Sequence, residues 1–274
     1  MASMTATTHT STLTPKDSAI LSALFDSESS PSSNNSISTL DAHSIPALPQ
    51  ISSDLLLVLR AREALAIRPL NIPNPTPTAI ETALHDLSSL ISAYPNYAPA
   101  YINRAQTIRL LLSSSSSSSS EFFTTATLPQ TTQLFSDLST AITLTTPSTS
   151  TTPISPLQAD LLASAHTHRG YLLLKAASAS SARATKTSHS TTLNSHPQSP
   201  DLPLPPTLTG LSSTALEELA SRDFAAGGRY GNKVARRMSV QTNPYAKACG
   251  AIVKEALRKE REECVERKRF TDGD

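Results

Sequence analysis

Apolar and small residues recur at helical spacing in paired segments, and proline-rich stretches separate the pairs. SDLLLVLRAREALAI, from Ser53, and AIETALHDLSSLISAYPNY, carrying Ala83, Leu87 and Leu90, make a first pair joined by the proline-rich turn Asn71 to Pro77. YPNYAPAYINRAQTIRLLL and QLFSDLSTAITL make a second. In the first of these Tyr101, Arg104, Ala105 and Ile108 fall on one face; in the other Leu134, Leu138 and Ala141 do so. HTHRGYLLLK begins a third pair, completed by ALEELASRDFAAGGRYGN with Ala220, Phe224 and Gly227. The 20 prolines gather mainly in Pro31 to Pro49, Pro69 to Pro77, Pro147 to Pro156 and Pro197 to Pro206, which confines helices to the intervals between.

The pairs copy one another. Pro95 ends one unit, and Arg169-Gly170 matches Arg104-Ala105, with His166 standing where Tyr101 stands. This is the pattern of the 34-residue tetratricopeptide repeat, a helix-turn-helix unit marked by aromatic, small and proline positions. The reading predicts an all-α fold: a short right-handed array of three degenerate repeats over about Ser52 to Asn232, extended by a C-terminal helix. Tyr101, Ala105, Leu138, Ala141, Gly170, Phe224 and Gly227 are its packing positions. The repeat domain is expected over 52–270, with a largely disordered region at 1–51 before it and a tail at 271–274.

Two turns are too long for the motif. Ala105 and Ala141 are 36 residues apart and Gly170 and Gly227 are 57 apart, about seventeen and about 38 residues in excess. The surplus coincides with the serine run Ser113 to Ser120 and its Thr-rich continuation, and with ASASSARATKTSHSTT and the proline run after it. With so little apolar content to offset the entropy of ordering, 113–129 and 176–206 are expected to be disordered insertions whose removal leaves the core intact.

TPKDSAILSALF near the start, the AYINRAQ core, SRDFAAGGRYGNKVARR and NPYAKAC near the end occur in the order that the tetratricopeptide repeat protein 36 family has them. The chain resembles that family as a divergent member of fungal type, over about half its residues. The resemblance implies a helical array serving as an adaptor, a protein or peptide segment as partner, and association with the 70-kilodalton heat-shock chaperone. The two Ser/Thr-rich insertions depart from the family.

In such repeats the first helices line a groove, and the residue two after the first aromatic position points into it. That rule selects Asn103 and His168, and Gln106 and Tyr171 follow three residues on. Asn103 falls where one Asn of a chaperone-tail carboxylate clamp belongs, but His168 replaces an Arg and Ser164 a Lys, and Arg60 and Arg62 of the first repeat offer no clear register. Each charge-assisted bond lost removes about 1.5–3 kcal/mol, so a full clamp is not expected.

Net charge is +1, which gives no general attraction to nucleic acid or anionic membrane. Locally, Arg229, Lys233, Arg236, Arg237, Lys247 and Lys254 occur with no intervening acid. Arg236 and Arg237 therefore head either a solvated face or a patch for an acidic or phosphorylated partner, the basis of an alternative reading as a phosphorylation-controlled regulatory subunit. Nucleic acid is disfavoured, because only Tyr230 and Tyr245 could stack among the cations.

Cys249 and Cys264, fifteen residues apart on one helix, stand about 22 Å apart, too far to pair. Cys249 is expected to be buried beside Tyr245, Ile252 and Ala256. The seven scattered His offer no metal spacing, and no cofactor is expected. No phosphate loop or hydrolase signature occurs. Asp137 and Asp223 hold matched places in successive repeats, a structural rather than a catalytic pattern, and an enzyme with an unrecognised site ranks as a third reading behind adaptor and regulatory subunit. No apolar stretch is long enough to span a bilayer and no targeting signal is evident, which points to cytoplasm or nucleus. Thr14-Pro15-x-Asp17 starts a short helix near 15–25, either a lid on the repeats or a free recognition helix.

Overall fold

The computed structural model describes residues 47–115, 119–149, 152–188 and 202–271. The expected helix near 15–25 lies outside them, as does the expected tail at 271–274 apart from Thr271, which ends the last helix. Among the described residues the regular elements are all helical: α1 (Ser53–Ile67), α2 (Pro77–Ala93), α3 (Ala98–Ser115), α4 (Ser119–Phe122), α5 (Leu128–Thr145), α6 (Pro156–Ser188), α7 (Ser213–Arg229), α8 (Lys233–Thr242) and α9 (Pro244–Thr271). None is long and apolar enough to cross a membrane.

The boundaries follow local chemistry. Ser52, Thr76, Ser212 and Asn232 cap α1, α2, α7 and α8, each side chain accepting a backbone N–H three residues on, and Pro77 occupies the first turn of α2. The buried stripes repeat at helical spacing: Ile80, Ala83, Leu87 and Leu90 on α2, Leu134, Leu138 and Ala141 on α5, Leu216, Ala220 and Phe224 on α7.

Helices pack on their neighbours along the chain: α1 on α2, α2 on α3, α3 on α5, α5 on α6, α6 on α7, α7 on α8. In addition α3 touches α6. The main core joins α3, α5, α6 and α7, and a second gathers Leu56 and Leu59 of α1, Leu87 and Leu90 of α2, and Tyr97. Ala105, Leu138 and Ala141 are wholly enclosed, and Tyr101 is half-buried with its hydroxyl donating to the Pro95 carbonyl at 3.0 Å. Gly170 faces the Phe224 ring, which a Cβ there would meet at 3.1 Å. At Gly227 an added Cβ would lie 2.8 Å from Thr167 Oγ1, so only glycine lets α7 lie this close to α6.

One polar device occurs twice. Arg104 of α3 grips Asp137 of α5 with Nε and Nη2 at 2.8 and 2.7 Å, while its Nη1 donates to Ser88 of α2 at 3.2 Å. Arg169 of α6 grips Asp223 of α7 at 2.7 and 2.7 Å and reaches Ser139 of α5 at 3.2 Å. Each fork ties two helices of one pair together and touches the second helix of the pair before. Ser88 and Ser139 follow Leu87 and Leu138 in the same way, so the repetition extends to the polar partners.

Four expectations are corrected. The disordered insertion at 113–129 instead contains α4 and the start of α5, and Phe122 and Phe123 pack edge-to-face inside the main core. Two aromatic side chains bury enough apolar surface to order a segment otherwise made mostly of Ser and Thr. Likewise 176–206 is not wholly loop. Helix α6 continues to Ser188 with Ala176, Ala177 and Ala179 buried, and Leu202 and Leu204 return to the core, with 189–201 outside the described residues. The domain also begins before residue 52, because Leu48 and Ile51 are buried against α1 and α2. Finally, Cys249 is exposed, not buried: α9 presents Tyr245, Ile252, Val253 and Leu257 to solvent, since its apolar face has no helix packed over it among the described residues.

Candidate functional site

A cavity of about 700 Å³ opens between α3, α6 and the α7–α8 corner. Helix α3 supplies Gln106 and Arg109, α6 supplies Asp160, Ala163, Ser164, Thr167, His168 and Tyr171, and the far wall is Phe224, Tyr230, Gly231, Asn232, Val234 and Met238. The corner is fixed by backbone chemistry. Gly231 takes φ +100, a conformation that favours glycine, and its N–H donates to the Gly228 carbonyl while that of Asn232 reaches Gly227. Asn232 then caps α8, turning Val234 and Met238 toward the cavity.

Of the residues singled out in the sequence, the fold brings Gln106, His168 and Tyr171 together here. Asn103 is not among the cavity's walls. Its amide donates to Glu63 of α1, which also accepts from the Tyr97 hydroxyl. Burial raises the Glu63 carboxyl above its usual range, and the bonds from Tyr97 and Asn103 and the charge of Arg60 offset only part of that. Asn103 therefore serves the joint between α1 and α3. Arg236 and Arg237 are exposed and also lie off the cavity: α8 gives Val234 and Met238 to that side, while Arg236 backs onto Gly228.

His168 is the unusual member. Both ring nitrogens are shut from solvent, yet neither has a hydrogen-bond partner in the chain. Burial and the neighbouring Arg109 charge push its pKa down to about 4, so the ring is neutral at physiological pH. His166, two residues earlier, turns the other way. Its Nδ1 lies 2.8 Å from Asp223 and its ring stacks on Tyr230. Burial pushes the Asp223 carboxyl up, but bonds from Arg169 and His166 outweigh this and hold it below the usual range. Sequence pattern found His168 by its register. Arg109 carried no signal, because a lone Arg late in a helix is ordinarily a solvated charge.

An unpartnered polar ring is a cost to the fold, so His168→Phe is expected to raise stability at pH 8 by about 1 kcal/mol. The effect grows in acid. The folded pKa lies below the unfolded value of 6.5, so the stability is complete above 6.5 and falls as the pH drops from there toward 4. Denaturant melts between pH 8 and 4 should show the variant lacking that loss, worth about 3 kcal/mol at the acid end. Equal slopes for both proteins would contradict the burial of the ring.

No protein-family profile and no solved structure matches the chain. It is 46% identical to the L-tyrosine degradation gene cluster protein hmgX of Aspergillus fumigatus over 252 residues, covering 90% of this chain and 93% of the relative. Likeness of that degree, sustained along nearly the whole of both chains, makes this protein a member of the hmgX family.

Proposed function

We propose that the chain is a non-catalytic adaptor of tetratricopeptide type, in which α1/α2, α3/α5 and α6/α7 are three repeats of a right-handed array and α8 extends it. The cavity between α3, α6 and α8 is its groove for a segment of a partner protein. The observation that carries this reading is the unsatisfied, enclosed His168 ring in the wall of a large and mostly apolar cavity. Polar groups left unpaired at a fold's expense are more readily understood as waiting for a ligand than as packing. The doubled Arg–Asp–Ser device supports the repeat assignment, as does the resemblance to the tetratricopeptide repeat protein 36 family, from which a heat-shock 70 link is also inferred. His166 and Asp223 make no catalytic pair in this reading, because both Asp223 oxygens are already held by Arg169.

The relative's name places it in a gene cluster for L-tyrosine degradation. We accordingly look for the client among the enzymes of that breakdown, in the cytoplasm or nucleus. Affinity purification of the tagged chain from cells grown on L-tyrosine tests this. Recovery of such an enzyme should be lost on Tyr171→Ala with Val234→Asp, both positions exposed and in the groove wall. Loss on Arg236→Glu with Arg237→Glu instead, the groove variant retaining its partners, would transfer the binding site to the basic face of α8 and favour the regulatory-subunit alternative.

A further inference from the structure

His168, Tyr171 and Lys175 stand three and four residues apart on α6, so they form one stripe along that helix. Arg109 of α3 faces the same end of the groove, where it shares the cavity wall with His168 and Tyr171; burial first, and the charge of Arg109 after it, make both His168 and Lys175 less basic. Lys175 is half-buried, its ammonium 4.1 Å above the centre of the Phe122 ring. None of the ion pairs among the described residues uses Arg109 or Lys175. Two cations therefore stand at this end of the groove beside an enclosed imidazole with no partner, and no ion pair among the described residues balances them. Repulsion of that kind is relieved by a bound anion.

The opposite end differs. Asp160 is exposed in the wall, eight residues before His168 and hence about 12 Å away along α6. That span matches about four residues of extended chain, more than a single small acid could bridge.

We propose that the groove binds an extended peptide segment through an Asp or Glu side chain, whose carboxylate one oxygen meets Arg109 and the other accepts an N–H from His168, with Lys175 behind them. This rests on the groove reading above and adds to it the ligand's chemistry. The neutral imidazole suits a carboxylate because it offers one N–H beside the guanidinium fork, and the oxygen it reaches is the one the fork leaves open. Asp160 at the far end adds a preference for a basic residue about four positions away.

The test uses the full chain, fluorescently labelled, against a bead library of random hexapeptides. A selected peptide and its counterpart with Glu changed to Gln are then measured by anisotropy. Selected peptides should be enriched in Asp or Glu. Glu→Gln in the peptide should weaken binding about tenfold or more, and so should Arg109→Gln in the protein, with the two changes together costing little beyond either alone. His168→Phe should weaken binding while keeping the fold intact, which separates loss of the site from loss of structure. Selection of peptides with no acidic preference would overturn this inference and leave the groove reading standing. Preference for phosphoserine over Glu would overturn the carboxylate assignment. Selection of no peptide, or binding of free phenylacetate as tight as that of any peptide, would overturn both.

Discussion

Asp137→Ala is expected to destabilise the fold by about 3–5 kcal/mol, a large share of the 5–15 kcal/mol typical of a domain. The carboxylate is 1% exposed and its partner Arg104 15% exposed, so removing the acid strands a guanidinium that solvent reaches only in part. Gln133, which also donates to Asp137 at 2.7 Å, loses its acceptor at the same time. Replacing both partners, Arg104→Met with Asp137→Leu, should recover most of the loss, because the penalty comes from an unmatched charge and not from the absence of the pair. Urea unfolding followed by circular dichroism measures both. A cost under about 1 kcal/mol for Asp137→Ala would mean that water screens the fork and that it does not fasten α3 to α5.

The two ends of that fork show what could be read from sequence. The repeat pattern equates Arg104-Ala105 with Arg169-Gly170 and Asp137 with Asp223, so the equivalence of positions was legible. That the Arg and Asp of each pair meet was not, since 33 residues separate one pair and 54 the other. The groove rule behaved similarly. The position two residues after the aromatic one is His168 in the third repeat, which lies in the cavity wall, but Asn103 in the second, which Glu63 of α1 captures. Register within a repeat follows from spacing, whereas a side chain's partner depends on the neighbouring repeat. The apolar stripe of α9 makes the same point. Tyr245, Cys249 and Ile252 do share a face, but periodicity marks a face without supplying anything to cover it.

Phe122→Ala should cost about 3–5 kcal/mol, although it falls in a stretch whose composition suggested a dispensable loop. Counting residues in 113–129 gives mostly Ser and Thr, and an average over that window hides the one pair that matters. Phe122 and Phe123 are each 1% exposed, with ring centroids 5.1 Å apart, and they plug the main core where α4 meets α6. The ammonium of Lys175 lies over the Phe122 ring, so truncating that ring removes a cation–π contact as well as leaving a cavity. The same change should loosen Lys175 and weaken acidic-peptide binding, by a smaller factor than Arg109→Gln because Arg109 keeps its place on α3. Thermal melts and peptide anisotropy on the one variant read both effects. A Phe122→Ala protein with unchanged melting would return the segment to the status of a loop, and would remove the floor on which Lys175 stands.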